Sequence, residues 1–368
     1  MRILHAVLSE GFYGSERHCI ELATGQARAG HHVEVLIHNG GSHCGRAFRD
    51  EIATTGAAIA AARGSGSVRL VVIPHAMPSF LHRPIARWIL RRFAPDIVHT
   101  HLNPAARRVG RVAQNLGIPH VATLHIRFDH REHADCDGLI CGASWQQAAI
   151  TSDFHGEVAV VWAWLPTAVH AALARVTSQD VARLRRGWDA DGQTVVFGSI
   201  GRLMPEKGMD VLARAFRLAF PRGDEKARLV ILGVGSQESE LQLLTGDDPR
   251  VSLIGAQPEI AHFYRAFDVY VSASRFEPYG LTILEAMEAG LPLIVTRTDG
   301  PREFVADERV SWVEPGEETG LAGALQVALD GGVRRISYDL ARFTQKGALG
   351  EIEAFYQRVL ARKTRVSG

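Results

Sequence analysis

Glu277 and Glu285 are separated by seven intervening residues in Ser274-Arg-Phe-Glu-Pro-Tyr-Gly-Leu-Thr-Ile-Leu-Glu285. Pro278 keeps Glu277 out of the helix that follows, and that helix runs from Gly280 to a stop at Gly290. The unpaired N–H groups of Gly280, Leu281 and Thr282, reinforced by the helix dipole, form a site for an anion. Glu277 precedes that site and Glu285 lies about one turn inside the helix. A diphosphate there would have a carboxylate toward each flank, each able to accept hydrogen bonds from hydroxyls such as those of a sugar and a ribose. A glycosidase pair is the sharper competitor and needs carboxyls ~5–9 Å apart astride one bond. Eight residues of helix rise ~12 Å, and Pro278 works against a shared face. Surface acids without a ligand are the plain alternative.

Two more loops carry chemistry of the same sign. Gly201-Arg202-Leu-Met-Pro-Glu-Lys207-Gly208 follows an apolar run and precedes a helical one. Its glycines permit close backbone approach, and Arg202 and Lys207 supply cations for something anionic; the other reading is a tight turn with two solvated charges. Gly233-Val-Gly235 begins like a dinucleotide fingerprint, but Glu238 stands where its third glycine belongs, so this element does not support a dehydrogenase. Asp135-Cys-Asp137 and Asp189-Ala-Asp191 spell the acidic pattern of some metal sites, yet each precedes an apolar strand and reads as a solvated turn. No metal is expected.

The elements that must position these loops alternate strand and helix. The first series runs Arg2–Leu8, Val33–His38, Val68–Ile73, Asp96–Thr100, Val121–His125 and Gly138–Gly142, with helices between. After a less regular stretch, Trp162–Asp191, a second series runs Thr194–Ile200, Arg228–Leu232, Val251–Leu253, Val269–Ala273, Leu293–Val295 and Trp312–Val313. Such alternation argues for right-handed βαβ units, parallel sheets and two doubly wound α/β domains in tandem, hinged near Trp162–Ala172. In such sheets ligands sit at the carboxyl ends of the strands, so two facing sheets would make a cleft. The length of 368 residues suits two domains, and a last helix, Leu349–Arg362, carries Ile352, Phe355, Tyr356 and Val359 on one stripe for core packing.

Composition excludes other classes. Forty-one Lys plus Arg against 40 Asp plus Glu leave +1, which is no polybasic nucleic-acid module. The start of the chain lacks the long apolar stretch of a secretory signal, and no window reaches the ~20 apolar residues of a membrane span. Cys19, Cys44, Cys136 and Cys141 show no C-x-x-C spacing and read as inert thiols in a reducing compartment. The expected location is the cytoplasm. Arg83, Arg87 and Arg91 recur four apart on one helix, where Ile85, Trp88, Ile89 and Phe93 are expected to supply apolar contacts, and Arg107, Arg108 and Arg111 add charge nearby. That stripe reads either as docking to an anionic membrane face or phosphorylated acceptor, or as an ordinary helix solvating its arginines.

Together these residues resemble glycosyltransferase family 4. The Glu277–Glu285 segment is similar to that family's E-x7-E signature, and Gly201-Arg202-Leu203…Lys207-Gly208 to its G-R-L-x-x-x-K-G loop. Leu232-Gly-Val-Gly235, Leu253-Ile-Gly255 and Asp268-Val-Tyr-Val-Ser-Ala-Ser274 fall in family order. The resemblance implies the GT-B fold, two Rossmann-like doubly wound domains facing an interdomain cleft, with an acceptor domain over 1–165, a donor domain over 166–348, and a helix over 349–368 crossing back. It implies retaining transfer from a nucleotide sugar, UDP- or GDP-linked, to a glycan or lipid-linked acceptor, with no cofactor. Arg202 and Lys207 would hold the donor diphosphate, Glu277 the sugar hydroxyls and Glu285 the ribose. The amides of Gly280, Leu281 and Thr282 would meet the phosphate, and Gly14, Gly201, Gly233 and Gly235 would line the donor. His125, otherwise a plain strand-end histidine, matches the family histidine beside the reacting sugar. Bacterial relatives with basic first domains build lipopolysaccharide, capsule or other envelope glycans at the inner membrane face, which the resemblance extends to this chain. The chain departs from the family at the hinge, with Ala163-Trp-Leu-Pro-Thr-Ala168 for the usual N-G-V-D, and at Gly300-Pro-Arg-Glu303 for G-G-x-x-E. A nucleotide-sugar epimerase and a non-catalytic binder are the rival classes; the first would need a full dinucleotide loop after the first strand, which Gly11-Phe-Tyr-Gly14 does not provide.

Overall fold

The computed structural model describes the chain except residues 10, 12, 39–41, 62–64, 75–77, 224 and 368. Glu10 and Phe12 of the first predicted loop, and the side chain of Cys44, lie outside the described residues. The chain divides into two units, one of Met1–Trp164 with Arg342–Gly368, the other of Leu165–Ala341. The returning segment therefore starts at Arg342 and its helix, Gln345–Ser367, begins ahead of the expected 349.

The first unit is a seven-stranded parallel sheet of β1 (Arg2–Val7), β2 (His32–His38), β3 (Ser67–Ile73), β4 (Ile97–His101), β5 (His120–Leu124), β6 (Gly138–Cys141) and β7 (Glu157–Val160). Its order is β3-β2-β1-β4-β5-β6-β7, so the direction of winding reverses between β1 and β4. Strands β1, β4 and β5 are covered on both faces and almost wholly buried, the reason they read as continuous apolar runs interrupted by histidines. On one face Cys19, Leu22 and Ala23 of the Gly14–Arg28 helix pack with Phe355, Tyr356 and Val359 of the final helix. Gly138 allows that approach, since a Cβ there would lie 2.7 Å from the Phe355 ring. Burying Phe355 and Tyr356 is worth roughly 2–3 kcal/mol each, which holds the chain's end to its beginning. On the other face Ala86, Ile89, Leu90 and Phe93 of the Ser79–Phe93 helix meet Leu4, Ala6 and Val98.

The second unit is a six-stranded parallel sheet of β8 (Val195–Ile200), β9 (Ala227–Leu232), β10 (Val251–Ile254), β11 (Val269–Ser272), β12 (Leu293–Thr296) and β13 (Ser311–Val313), in the order β10-β9-β8-β11-β12-β13. Its winding reverses between β8 and β11. Phe197, Phe216 and Phe220 form the centre of its core, with ring centroids 5.1–6.5 Å apart.

Several elements depart from the sequence reading. The Ser42–Ala61 helix and strand β7 were not anticipated, because their apolar residues are sparse or half-buried. The supposedly irregular Trp162–Asp191 stretch holds two short helices, Thr167–Arg175 and Ser178–Gly187. The second starts at a reciprocal cap in which the Asp180 N–H donates to Thr177 Oγ1 (3.2 Å) and the Thr177 N–H to Asp180 Oδ2 (3.0 Å).

Candidate functional site

In doubly wound sheets ligands settle at the carboxyl ends of the strands flanking the reversal. In the second unit those are the ends of β8 and β11, and the predicted charges lie there. Lys207 follows β8, Glu277 follows β11, and their Nζ and Oε2 are 2.5 Å apart, with Ser274 Oγ 3.3 Å from the same oxygen. Glu277 is buried, so its carboxylate is held by this lysine and hydroxyl rather than by water. The Lys207 ammonium has three N–H bonds, one of which points at Glu277.

Glycines make the loops fit. Gly233 (φ 147°) would place a Cβ 1.8 Å from Gly201 O, and Gly208 (φ 63°) one 2.0 Å from Ala273 O; no L side chain fits either position. The loops are also sewn together. Leu203 N–H donates to Val234 O (3.0 Å), Gln237 N–H to Leu203 O (2.9 Å) and Gly300 N–H to Glu277 O (3.1 Å). Arg275 grips Asp210 with two 2.7 Å bonds, while its N–H and that of Phe276 donate to Glu206 O. Gly235 would carry a Cβ only 2.3 Å from Leu203 O, so this pair of glycines serves loop-to-loop packing.

The helix after Glu277 spans Leu281–Glu288 and is entered through Gly280 at φ 105°. Its first amides, those of Leu281 and Thr282, have no carbonyl one turn earlier to bond. Inside it Glu285 is buried, and its Oε2 accepts a 2.8 Å bond from the Tyr264 hydroxyl, which also lies 3.2 Å from Thr282 O. Tyr270 OH donates to Ile200 O (3.2 Å). Burial pushes the Tyr270 phenol well up; the Glu277 and Glu285 carboxylates add to this and a hydrogen bond with Thr282 opposes it. Lys207, Glu277, Glu285 and Thr282 thus cluster around Ser274, Tyr264 and Tyr270. Arg202 is different: it is exposed and 3.2 Å from Glu206 Oε1. The supporting tyrosines, Tyr264 in the Ile260–Ala266 helix and Tyr270 within β11, gave no spacing signal in the sequence.

In the first unit the corresponding strand ends are those of β1 and β4. Here Gly14 is exposed at the start of the Gly14–Arg28 helix, whose entry is fixed by the Tyr13 N–H donating to buried Glu16 Oε2 (2.8 Å). Near this helix lies a group of histidines of which the sequence reading singled out His125 alone. His5, His99 and His101 alternate on one face of β1 and β4, and His125 follows β5. His5 Nε2 is 2.7 Å from Gln26 Oε1, His5 Nδ1 3.1 Å from His101 Nε2, and His101 Nδ1 3.0 Å from His125 Nε2. His18 stacks on Trp164 with centroids 4.3 Å apart. Burial holds every one of these rings neutral, lowering His5 and His125 to about 4 and His18, His99 and His101 well below the ordinary value, where neighbouring rings add to the effect. The i, i+2 histidines of His99-Thr-His101 at a strand end were the available signal. His5, Cys19 and His101 also bring ligand atoms within 4.8 Å of one another, the one such group among the described residues.

Other expectations change. Arg83, Arg87 and Arg91 are exposed together, but Trp88 joins them on the surface at 63% exposure instead of packing inward, with the Arg92 guanidinium 5.4 Å from its ring centre. Arg83 shares a groove with Phe80, Arg107 and Arg108. Asp137 is not simply solvated: it accepts from the His120 N–H (2.9 Å) and Lys363 Nζ (2.7 Å), tying the final helix to the first sheet. Asp191 caps its own turn through the N–H groups of Gln193 and Thr194. Cys19, Cys136 and Cys141 are free and buried, and burial pushes Cys141 up to about 12. No helix among the described residues is long and apolar enough to cross a membrane.

Comparison with known proteins follows the same two units. A family model described as Glycosyltransferase Family 4 matches residues 12–179, and one described as Glycosyl transferases group 1 matches residues 194–330. Among curated relatives, a D-inositol 3-phosphate glycosyltransferase of Acidothermus cellulolyticus is 30% identical over 274 residues, 65% of this chain and 60% of that protein. A GDP-mannose-dependent alpha-mannosyltransferase of Mycolicibacterium smegmatis is 30% identical over 255 residues, 62% of this chain and 63% of that protein. The chain thus spans about three-fifths of the length of these two relatives. The Anabaena protein HepE, solved with UDP and glucose, has the same fold, with a TM-score of 0.71 at 18% identity over 100% of this chain and 98% of that one. Both doubly wound sheets are those of GT-B structures.

Proposed function

This chain belongs to the group 1, family 4 glycosyltransferases, and from that premise we propose that it moves a sugar from a nucleotide-diphosphate donor, UDP- or GDP-linked, to a glycan or lipid-linked acceptor. The observation that carries the reading is the pair of half-buried Lys207 and buried Glu277 beside the amides that open the Leu281–Glu288 helix. Departure of a nucleoside diphosphate develops negative charge, which Lys207 and helix amides aimed in advance would stabilise electrostatically. Glu277 would hold sugar hydroxyls and Glu285 the ribose, while exposed Arg202 would turn from Glu206 to the diphosphate. His125 offers a ring nitrogen to a sugar hydroxyl. No metal is required in this scheme, and retention follows when acceptor attack and leaving-group departure share one face of the sugar.

Envelope-glycan synthesis at the inner face of the cytoplasmic membrane is the setting we propose. A lipopolysaccharide core glycosyltransferase of Rhizobium meliloti, 28% identical over 250 residues, 66% of this chain and 68% of that protein, supports it. So does the exposed surface of Arg83, Arg87, Arg91 and Trp88. Incubation with UDP-, GDP- and ADP-sugars, read as nucleoside diphosphate released on adding candidate glycan acceptors, tests the activity. One donor should be consumed; a protein that binds donors and releases nothing is a binder, and the reading falls.

A further inference from the structure

From Gln26, in the last turn of the Gly14–Arg28 helix, hydrogen bonds run unbroken through His5 and His101 to His125. Each ring is neutral, because burial lowers His5 and His125 to about 4 and His101 well below its ordinary value, so each carries one N–H and one lone pair. Such a row has a direction. Gln26 Oε1 faces His5 and can only accept, so His5 Nε2 carries the proton and His5 Nδ1 accepts. His101 Nε2 must then be the donor to His5 Nδ1, and His101 Nδ1 the acceptor of His125 Nε2–H. The lone pair left over is on His125 Nδ1, the only ring nitrogen in the row without a partner among the described residues.

A second branch starts from the same amide, so the orientation of Gln26 sets the direction of both. Gln26 Nε2 donates to the Tyr356 hydroxyl (3.3 Å), whose own O–H points to His99 Nδ1 (2.6 Å), and His99 Nε2–H is left to donate to Thr123 Oγ1 (2.6 Å). Turning the one amide of Gln26 over would reverse every bond in both branches and move the proton of His125 from Nε2 to Nδ1. We infer that Gln26, His5 and His101 are positioning residues that fix the tautomer of His125, so that it presents a bare Nδ1 as a hydrogen-bond acceptor for a sugar hydroxyl. The row joins three neighbouring parallel strands, with His5 on β1, His101 on β4 and His125 after β5, so its spacing is set by the sheet itself. The assignment of a sugar to His125 rests on the proposed function; the tautomer does not.

The test is ¹⁵N nuclear magnetic resonance of histidine-labelled full-length protein at neutral pH, without donor, in which the two ring nitrogens report which carries hydrogen. The His125→Gln variant identifies the His125 signals by their loss. Wild-type protein should show His125 as a single Nε2–H tautomer. Gln26→Glu, whose carboxylate also only accepts, should keep it, and Gln26→Met, which ends the row, should give a mixture of both tautomers. Thermal unfolding checks that both variants remain folded, and the wild-type spectrum decides the matter if they do not. An Nδ1–H tautomer or a mixture in wild type overturns the inference, as does an unchanged single tautomer in folded Gln26→Met. Bound zinc on His5, Cys19 and His101 that shifts these signals when chelated also overturns it. If the tautomer is confirmed and no nucleotide sugar is consumed, the proposed function fails and the row stands.

Discussion

The two units reverse their winding at the same place in the strand order, between β1 and β4 in one and between β8 and β11 in the other, yet fill that place with opposite chemistry. The second unit concentrates charge: Lys207 on Glu277, Arg202 on Glu206, and Glu285 under Tyr264. The first unit has buried neutral rings in a directed row. The comparison teaches that a shared topology supplies only the location. Fixed charges and unbonded helix amides suit a diphosphate, whose charge must be met; neutral rings with defined donors and acceptors suit hydroxyls, whose orientation must be chosen.

Neutralising the charged side should give the largest effect. Glu277→Gln keeps the shape and removes the charge that holds Lys207 and that, in the proposed function, would hold the donor sugar, so initial-rate assays of transfer should fall by about 10²–10³-fold while thermal unfolding changes little. Wild-type turnover by this variant would erase the distinction between the two units.

Acid should act on the neutral side. His5 and His125 are lowered to about 4 and His120 to about 3 from 6.5, mainly by burial, so the unfolded chain takes up protons before the folded one. Their contribution to stability is complete above pH 6.5 and is lost as pH falls from 6.5 toward 4. Within that window each ring costs roughly 1.4 kcal/mol per pH unit. Melting followed by tryptophan fluorescence should show a steep loss there; a flat profile would mean that the rings are not buried neutral.

The smallest change sharpens the charged site. Tyr264→Phe removes the 2.8 Å bond to buried Glu285, costing about 1–2 kcal/mol of stability and weakening nucleoside binding more than free-phosphate binding, measurable by calorimetry. Equal losses for both would assign Tyr264 to the fold alone.

Most of the strands and the charged loops were legible because parallel strands covered on both faces leave apolar runs and because Gly-bearing strand ends mark ligand loops. Lys207 and Glu277 were each visible, although 70 positions apart; their contact became visible only when β8 and β11 were seen to be neighbours. The histidine row was hidden for the same reason, since its members come from three strands and a helix and no local spacing joins them. Trp88 misled, because a helical stripe of apolar residues says which residues share a face and not where the buried face ends.

The central claim is that the second unit holds a donor diphosphate by charge. Calorimetric titration of UDP and of GDP into wild type, Lys207→Met and Lys363→Met tests it most directly, because both lysines are ion-paired, Lys363 with Asp137 at 2.7 Å in the first unit. The account predicts that one nucleotide binds wild type, that Lys207→Met weakens it by about 10–100-fold and that Lys363→Met leaves it unchanged. Binding of neither nucleotide, or equal affinity in wild type and Lys207→Met, would contradict it.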